Sequence, residues 1–232
     1  MIDLYADNPI ERDKMLNAKP DKSINAAIFN VMRTLKKLNP GDTYLENYKW
    51  HLDKNGDKFF DYYHLLWEVG PKMNPKSMLE IGCRTGISIC QLLASMIDYT
   101  DKEVVLFDVF NDGFISPALV KLNMLQLNIP TDMVEFNVGK STETIPKYKE
   151  EHPGKKFDYV LVDGDHSKAG ARIDLENVVD MVAKDGILIF DDIANDGMSL
   201  DDVWQAFKAE HKEEFTYNEN YDGKGTAWAI KL

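Results

Sequence analysis

The segment between residues 77 and 88 constrains the fold of this chain more than any other. The segment Met78–Ile81, apolar except for Glu80, predicts a short buried strand. Gly82 and Gly86 predict a turn, and the apolar spacing that follows predicts an amphipathic helix. Such a turn lies at the end of an α/β sheet where ligands bind, and a glycine there lets a ligand approach the backbone because it has no Cβ. We therefore expect a ligand site at this turn.

The spacing of the two glycines separates the kinds of nucleotide site that the turn could form. A dinucleotide-binding loop requires the pattern G-x-G-x-x-G, whereas here Gly82 and Gly86 are four positions apart, with Arg84 midway between them. The spacing therefore disfavours a nicotinamide cofactor. A glycine pair alone also fits a strand-to-helix turn that binds nothing, so later segments have to decide between these alternatives.

Strand and helix patterns alternate from residue 77 to the end of the chain. The predicted strands are Met78–Ile81, Val104–Asp108, Met133–Val138, Tyr159–Asp163, Ile187–Asp191, Phe215–Asn218 and Thr226–Lys231. The predicted helices are Ile87–Ile97, Ala118–Leu127, Thr142–Glu150, Ala169–Val182 and Leu200–His211. This order predicts a Rossmann-like α/β fold: a seven-stranded, mostly parallel sheet with an antiparallel last strand and helices on both faces. The last two strands form a hairpin, which we expect to bring the antiparallel strand to the sheet edge.

Two parts of unequal size are predicted along the chain. Residues 1–57 are interpreted as an N-terminal arm with a helical extension or lid, and residues 58–232 as the main domain. Apolar residues between positions 24 and 38 recur at helical spacing and predict a helix that packs on the sheet or on a second copy of the chain. A homo-oligomer is therefore one expectation. The aromatic residues between positions 44 and 67 are interpreted as core, with a lid over a substrate as the alternative.

Composition excludes several classes of partner. The chain has 27 Lys and Arg residues against 39 Asp and Glu residues, and its net charge of −12 repels the phosphate backbone of nucleic acids. It has no apolar run of about 18 residues and no apolar signal core at its start, so we expect no membrane partner and a cytoplasmic location. Cys83 and Cys90 have neither the number nor the spacing of a disulfide framework or zinc site, which predicts small buried apolar residues.

Acidic residues lie at the ends of four predicted strands: Glu80, Asp108, Asp163, Asp191 and Asp192. An isolated aspartate at a strand end is usually a helix cap or turn former, but five acids at one sheet edge cost stability unless a cation offsets their charge. The pattern therefore predicts a cationic ligand, a metal ion or both. Asp108, about 20 residues beyond the glycine turn, is placed to accept hydrogen bonds from the ribose hydroxyls of an adenosine cofactor.

Three motifs carry a resemblance to a known family. They are E-x-G-x-x-x-G at residues 80–86, F-D followed by four apolar residues and D-G-D-H-S at residues 157–167, and G followed by four apolar residues and D-D at residues 186–192. They resemble the motifs of class I S-adenosylmethionine-dependent methyltransferases, in the branch of catechol O-methyltransferase-like and macrolide-sugar (TylF-type) enzymes. The resemblance covers about residues 58–232 and departs at Asp185, where a glycine is common. It implies an O-methyltransferase for a small hydroxylated metabolite, such as a sugar, a catechol or a polyketide-derived ring.

The resemblance also implies which residues bind the cofactor S-adenosyl-L-methionine. They are Glu80, Gly82, Arg84, Gly86, Asp108, Ser141 and Asp163. Arg84 would pair with the methionine carboxylate, and the alternative is a salt bridge to one of the strand-end acids. Lys140 replaces an acid that is frequent beside the adenine ring, so recognition of the base would fall on Ser141 and backbone groups.

In the same branch, strand-end acids hold a divalent cation, which implies Mg²⁺ or a similar ion at Asp163, Asp191 and Asp192. Mg²⁺ prefers oxygen ligands and keeps positions open for a substrate with adjacent hydroxyls. His166 is a candidate general base beside Asp163, and a hydrogen bond at the start of the next helix is the alternative role. Two other functions stay open, namely a metal-independent methyltransferase that uses His166 as its base, and a non-catalytic cofactor-binding or assembly protein.

Overall fold

The computed structural model describes residues 60–96, 98–111, 115–221 and 223–232. The strands are β1 (Ser77–Ile81), β2 (Glu103–Asp108), β3 (Val134–Val138), β4 (Phe157–Val162), β5 (Val182–Asp191), β6 (Phe215–Asn220) and β7 (Thr226–Lys231). The helices are α1 (Phe60–Met73), α2 (Ile87–Ala94), α3 (Pro117–Gln126), α4 (Ser141–Glu151), α5 (Lys168–Val178) and α6 (Asp201–Glu210). The predicted arm over residues 1–57 lies outside the described residues, as does its boundary with the main domain. Across the described residues, every helix is too short or too polar to cross a membrane.

The seven strands form one sheet in the order β3-β2-β1-β4-β5-β7-β6. The pairs among β1 to β5 are parallel, and β7 is antiparallel to both of its neighbours. The predicted Rossmann-like, mostly parallel sheet with an antiparallel last strand is therefore confirmed.

The position of the antiparallel strand within the final hairpin differs from the prediction. The antiparallel strand β7 lies between β5 and β6, so β6 is the edge strand. The side chains explain this order, because Ala227 and Ala229 in β7 are fully buried, whereas Phe215 is the only buried residue of β6. A strand with small apolar residues fits between two others, and a strand rich in polar residues tolerates the exposed edge.

The chain divides into two compact units. The first contains α1, α2 and nearly all of α3 among its described residues. In this unit α1 packs against α2, and Gly70 lies so close to Ser95 that a Cβ at Gly70 would be 1.8 Å from the Ser95 Oγ atom. The Asn123 side chain donates a hydrogen bond of 2.9 Å to the Thr85 carbonyl. Cys90 in this unit is buried, as predicted, and so is Cys83 in the second unit.

The second unit contains the whole sheet together with α4, α5 and α6. In it α4 packs on β2, α5 packs on β4, and α5 contacts both other helices. The apolar core between these helices and the sheet includes Phe107, Val162, Phe190 and Trp204. Alternate strand residues that point the other way, such as Leu161, are also fully buried. Strand residues on both faces of the sheet are therefore buried, as the continuous apolar strands predicted.

Candidate functional site

A cavity of about 450 Å³ lies at the carboxyl ends of β1 to β4. Its lining residues are Ile81, Gly82, Phe107, Asp108, Val109, Gly139, Lys140, Ser141, Thr142, Gly164 and Asp165. Each segment of this lining ends or directly follows a parallel strand, which is where ligands bind in open α/β sheets. The volume is suitable for a nucleoside-sized ligand.

Asp108 organises one wall of the cavity. One carboxylate oxygen accepts a hydrogen bond of 2.7 Å from the Arg84 backbone N–H, and the other accepts one of 2.7 Å from the Phe110 backbone N–H. Both of these donors have positive φ angles, which the carboxylate stabilises. Each oxygen retains acceptor capacity, so Asp108 can also receive hydrogen bonds from a ligand's hydroxyl groups.

Gly82 forms the part of the cavity wall where the ends of β1 and β4 meet. Its φ angle is +82°, and a Cβ at this position would lie 1.9 Å from the Asp163 carbonyl oxygen. The glycine is therefore required by the neighbouring backbone as well as by the space for a ligand. Gly86, with φ +76°, lies instead against the Val120 side chain at the start of α2.

The predicted cofactor residues occupy different positions relative to the cavity. Gly82, Asp108 and Ser141 line it, whereas Glu80, Arg84, Gly86 and Asp163 are absent from the described lining. Glu80 is buried within β1, with 1% of its surface exposed. Arg84 contributes its backbone N–H to Asp108, as described above. Asp163 contributes its carbonyl to the contact with Gly82 and its side chain to a second cluster.

Asp174 contacts a residue of the cavity wall and was missed by the sequence analysis. This residue of α5 is fully buried, its Oδ2 atom accepts a long hydrogen bond of 3.5 Å from the Asp165 backbone N–H, and its Oδ1 atom has no hydrogen-bond partner. Burial raises its pKa, whereas interactions with the Ser141 side chain and the Asp165 N–H oppose the shift. Because Ser141 and Asp165 both line the cavity, Asp174 helps to position its wall. Asp174 is one of three acidic residues in the predicted helix Ala169–Val182, and the sequence pattern does not distinguish it from the other two.

A cluster of ionisable groups follows β4 and β5. The His166 Nε2 atom lies 3.4 Å from an Asp163 carboxylate oxygen and 3.5 Å from the Asp192 Oδ2 atom. One ligand atom from each of the three residues lies within 4.8 Å of the others. Ser167 caps α5 by accepting a hydrogen bond from Gly170. Ser167, rather than His166, therefore caps this helix.

Asp191 is the last residue of β5 and Asp192 directly follows it, and the two side chains have different surroundings. The Asp191 Oδ1 atom accepts a hydrogen bond of 3.1 Å from Thr226, and Oδ2 lies 3.7 Å from the Lys224 ammonium. The Asp192 Oδ1 atom lies 2.6 Å from the same ammonium and accepts a hydrogen bond from Asn195. The sequence analysis missed Lys224, because a lysine between two hairpin glycines gives no sign of contact with β5.

Burial and the charges of neighbouring groups shift the pKa values of three residues in the cluster. Burial, and then the charge of Asp163, raises the pKa of Asp191 to about 7 against the opposing effect of Lys224. The hydrogen bond to Asp163 raises the pKa of His166, although burial opposes it. Burial alone would lower the pKa of Lys224, but the charges of the three aspartates outweigh this effect and raise it. Lys224 is therefore an ammonium ion at neutral pH.

The donor atoms of this cluster fit a divalent cation. The Asp192 Oδ2 atom is buried and has no hydrogen-bond partner, and it faces Asp163 and His166. A buried carboxylate oxygen without a partner is costly, and a hard cation satisfies it. Asp191 is not part of the group of atoms within 4.8 Å, because its two oxygens are directed to Thr226 and Lys224.

Comparison with known proteins gives a family match and a shared fold. Residues 79–193 match the model of a family described as a methyltransferase domain. This segment runs from β1 to just beyond β5, so it includes the cavity lining and the Asp163, His166 and Asp192 cluster. No curated protein sequence matches the chain.

Solved structures with a similar fold include several methyltransferases. An O-methyltransferase from Bacillus cereus in complex with S-adenosylhomocysteine aligns with a TM-score of 0.62 and 16% identity, over 88% of this chain and 97% of its own. TomG, an O-methyltransferase of tomaymycin synthesis from Streptomyces achromogenes in complex with S-adenosylmethionine, gives the same score and identity, over 88% and 96%. The methyltransferase PaMTH1 from Podospora anserina, bound to S-adenosylhomocysteine, aligns with a TM-score of 0.59 and 17% identity, over 93% of this chain and 99% of its own.

Proposed function

Because this chain carries a class I S-adenosylmethionine-dependent methyltransferase domain, we propose that it transfers the methyl group of S-adenosylmethionine to a hydroxyl oxygen of a small metabolite. A sugar, a catechol or a polyketide-derived ring is the expected class of acceptor. A nucleic acid is disfavoured because the net charge of the chain is −12. Two of the similar structures are O-methyltransferases, which supports an oxygen acceptor.

One observation carries the proposal. A single turn after β4 supplies Gly164 and Asp165 to the cavity wall and Asp163 and His166 to the ionisable cluster. A cofactor held in the cavity and an acceptor held at the cluster would therefore be close neighbours. Methyl transfer is a single displacement, so its rate depends chiefly on how well the two reactants are positioned.

His166 is the proposed general base. In the reaction the bond between sulfur and the methyl carbon breaks, the bond between that carbon and the acceptor oxygen forms, and the hydroxyl proton passes to the His166 Nε2 atom. S-adenosylhomocysteine is the other product. Asp163 and Asp192, at 3.4 and 3.5 Å from Nε2, stabilise the imidazolium that results.

A divalent cation such as Mg²⁺ is proposed to assist at the same cluster. Asp163 and Asp192 would hold it, with Asp191 next to them, since the Asp192 Oδ2 atom is buried without a partner. When bound, such an ion lowers the pKa of an acceptor hydroxyl and fixes its orientation.

A second candidate is methyl transfer without a metal ion. It is favoured by the Lys224 ammonium, which already contacts Asp192 at 2.6 Å. In this case Lys224 offsets the acidic charge, and His166 alone activates the acceptor.

The test is a methylation assay with labelled S-adenosylmethionine and a panel of catechols and sugars, carried out with Mg²⁺ or with EDTA. We expect turnover with Mg²⁺ that EDTA abolishes, and we expect Asp192→Ala to lose turnover while calorimetry shows unchanged cofactor binding. Asp202→Ala, at an exposed acid paired with Lys168, is the matched control. Full turnover in EDTA favours the second candidate. Cofactor binding without turnover of any acceptor favours a non-catalytic cofactor-binding protein.

A further inference from the structure

The ammonium of Lys224 lies inside the acidic cluster that the proposed cation would use. It is 2.6 Å from the Asp192 Oδ1 atom and 3.7 Å from the Asp191 Oδ2 atom. We propose that Lys224 is a tethered cation that neutralises this cluster when no divalent ion is bound and competes with that ion for Asp192. The inference rests on the proposed cation site and adds a residue that sets its affinity.

The backbone fixes Lys224 at this position. Its carbonyl accepts a hydrogen bond of 2.6 Å from the Ala194 N–H, and the next carbonyl, of Gly225, accepts one of 3.2 Å from the Ile193 N–H. A Cβ at Gly225, where φ is +73°, would lie 2.6 Å from the Ala194 nitrogen. Lys224 and Gly225 therefore pack against the residues that follow Asp192, and the backbone of Lys224 cannot move away without breaking these contacts.

The negative charges of the cluster explain why a positive charge at Lys224 is stabilising. Three carboxyl groups lie at the ends of β4 and β5, and Asp192 is 1% exposed. Buried like charges destabilise a fold unless a cation is close to them. The side chain of Lys224 is 28% exposed, so its charge is only partly screened by water. It therefore stabilises the acids in the cation-free protein.

The same charge opposes a divalent ion. Lys224 occupies one oxygen of Asp192, while the other oxygen, which has no hydrogen-bond partner, faces Asp163 and His166. An ion bound at that second oxygen would lie on the same carboxylate as the ammonium. Repulsion between two positive charges within a few ångströms is strong in a partly buried site. Removal of the ammonium should therefore strengthen binding of the ion.

The variant Lys224→Met tests this inference, because methionine keeps the apolar stem without the charge. Lys224→Arg keeps the charge. Lys231→Met is the matched control: Lys231 lies at the other end of β7, and its side chain is 19% exposed and 2.6 Å from Glu214. The measurement is Mn²⁺ binding by electron paramagnetic resonance to the chelator-treated full chain with saturating S-adenosylmethionine. Thermal unfolding in EDTA and in Mn²⁺ is the second measurement.

We expect Lys224→Met to bind Mn²⁺ about tenfold more tightly than wild type, and the other two variants to stay within about threefold. In EDTA, Lys224→Met should unfold at a lower temperature than wild type, and Mn²⁺ should raise its unfolding temperature more. Equal or weaker Mn²⁺ binding by Lys224→Met overturns the inference and leaves the cation site in place. Absence of Mn²⁺ binding in wild type and in every variant overturns both the inference and the proposed cation site. The methylation assay in EDTA then tests the proposed reaction separately.

Discussion

Replacement of Asp191 by asparagine should make the protein more stable at alkaline pH. The carboxyl group is 6% exposed, and its pKa is raised to about 7, first by burial and then by the charge of Asp163. Between the ordinary value of 3.8 and this value, the folded state binds more protons than the unfolded state. The stability contributed by this group is therefore present at low pH and is lost as the pH rises towards 7.

The size of the effect follows from the two pKa values. One unit corresponds to about 1.4 kcal/mol, so the whole loss is about 4 kcal/mol, of which about 3 kcal/mol falls between pH 5 and pH 8. Asparagine does not titrate, and its carbonyl oxygen can still accept the hydrogen bond from Thr226. The difference in unfolding free energy, variant minus wild type, should therefore rise by about 3 kcal/mol over this range.

Urea unfolding followed by circular dichroism, in EDTA and without cofactor, measures this difference at each pH. Asp202→Asn serves as the control, because Asp202 is exposed and Lys168 holds its pKa below the ordinary value. Its difference from wild type should not increase between pH 5 and pH 8. A difference for Asp191→Asn that is flat, or that decreases with pH, would refute the reasoning that burial of this carboxyl group opposes its ionisation.

Two further substitutions test the cavity wall. Gly82→Ala should destabilise the fold by about 3 kcal/mol in urea unfolding, because its Cβ would lie 1.9 Å from the Asp163 carbonyl oxygen. The control Gly154→Ala, at a similar φ of +78° with no atom within 4 Å, should cost only about 1 kcal/mol. Equal losses of stability would contradict the role of the contact with Asp163. Asp174→Ala should weaken S-adenosylmethionine binding about tenfold in calorimetry, because the Asp165 N–H in the cavity wall loses its acceptor. Binding equal to that of the exposed-site variant Asp180→Ala would show that the cavity does not depend on this support.

The spacing of apolar residues, together with the glycines and prolines that interrupt it, determined the strands and helices of the fold. The strand from Thr226 to Lys231 has the predicted boundaries, and the other strands and helices differ from prediction by a few residues. The boundary of β5 is the largest difference among the strands, because it begins at Val182, in a segment assigned to the preceding helix. Val182 pairs with Phe157 of β4, and after a register shift Ile187 pairs with Tyr159, so pairing with a neighbouring strand overrode the helical pattern that had been extended to Val182.

The sequence also determined which acids gather at one edge of the sheet. In a parallel sheet, strand ends share an edge, so a residue that follows β2, β4 or β5 has its approximate position fixed by its place in the chain. Asp108 and Asp163 illustrate this, since the first lines the cavity and the second joins the cluster with His166. Local order along the chain was sufficient for these placements.

Only the tertiary structure decided which of these groups have partners. Lys224 reaches Asp192 because β7 lies between β5 and β6, and Asp174 reaches Ser141 because α5 packs beside α4. Both contacts join residues more than 30 positions apart in the chain. Hydropathy patterns report on neighbours a few residues away, whereas the charge balance and the support of a site depend on side chains that meet only after the sheet has assembled.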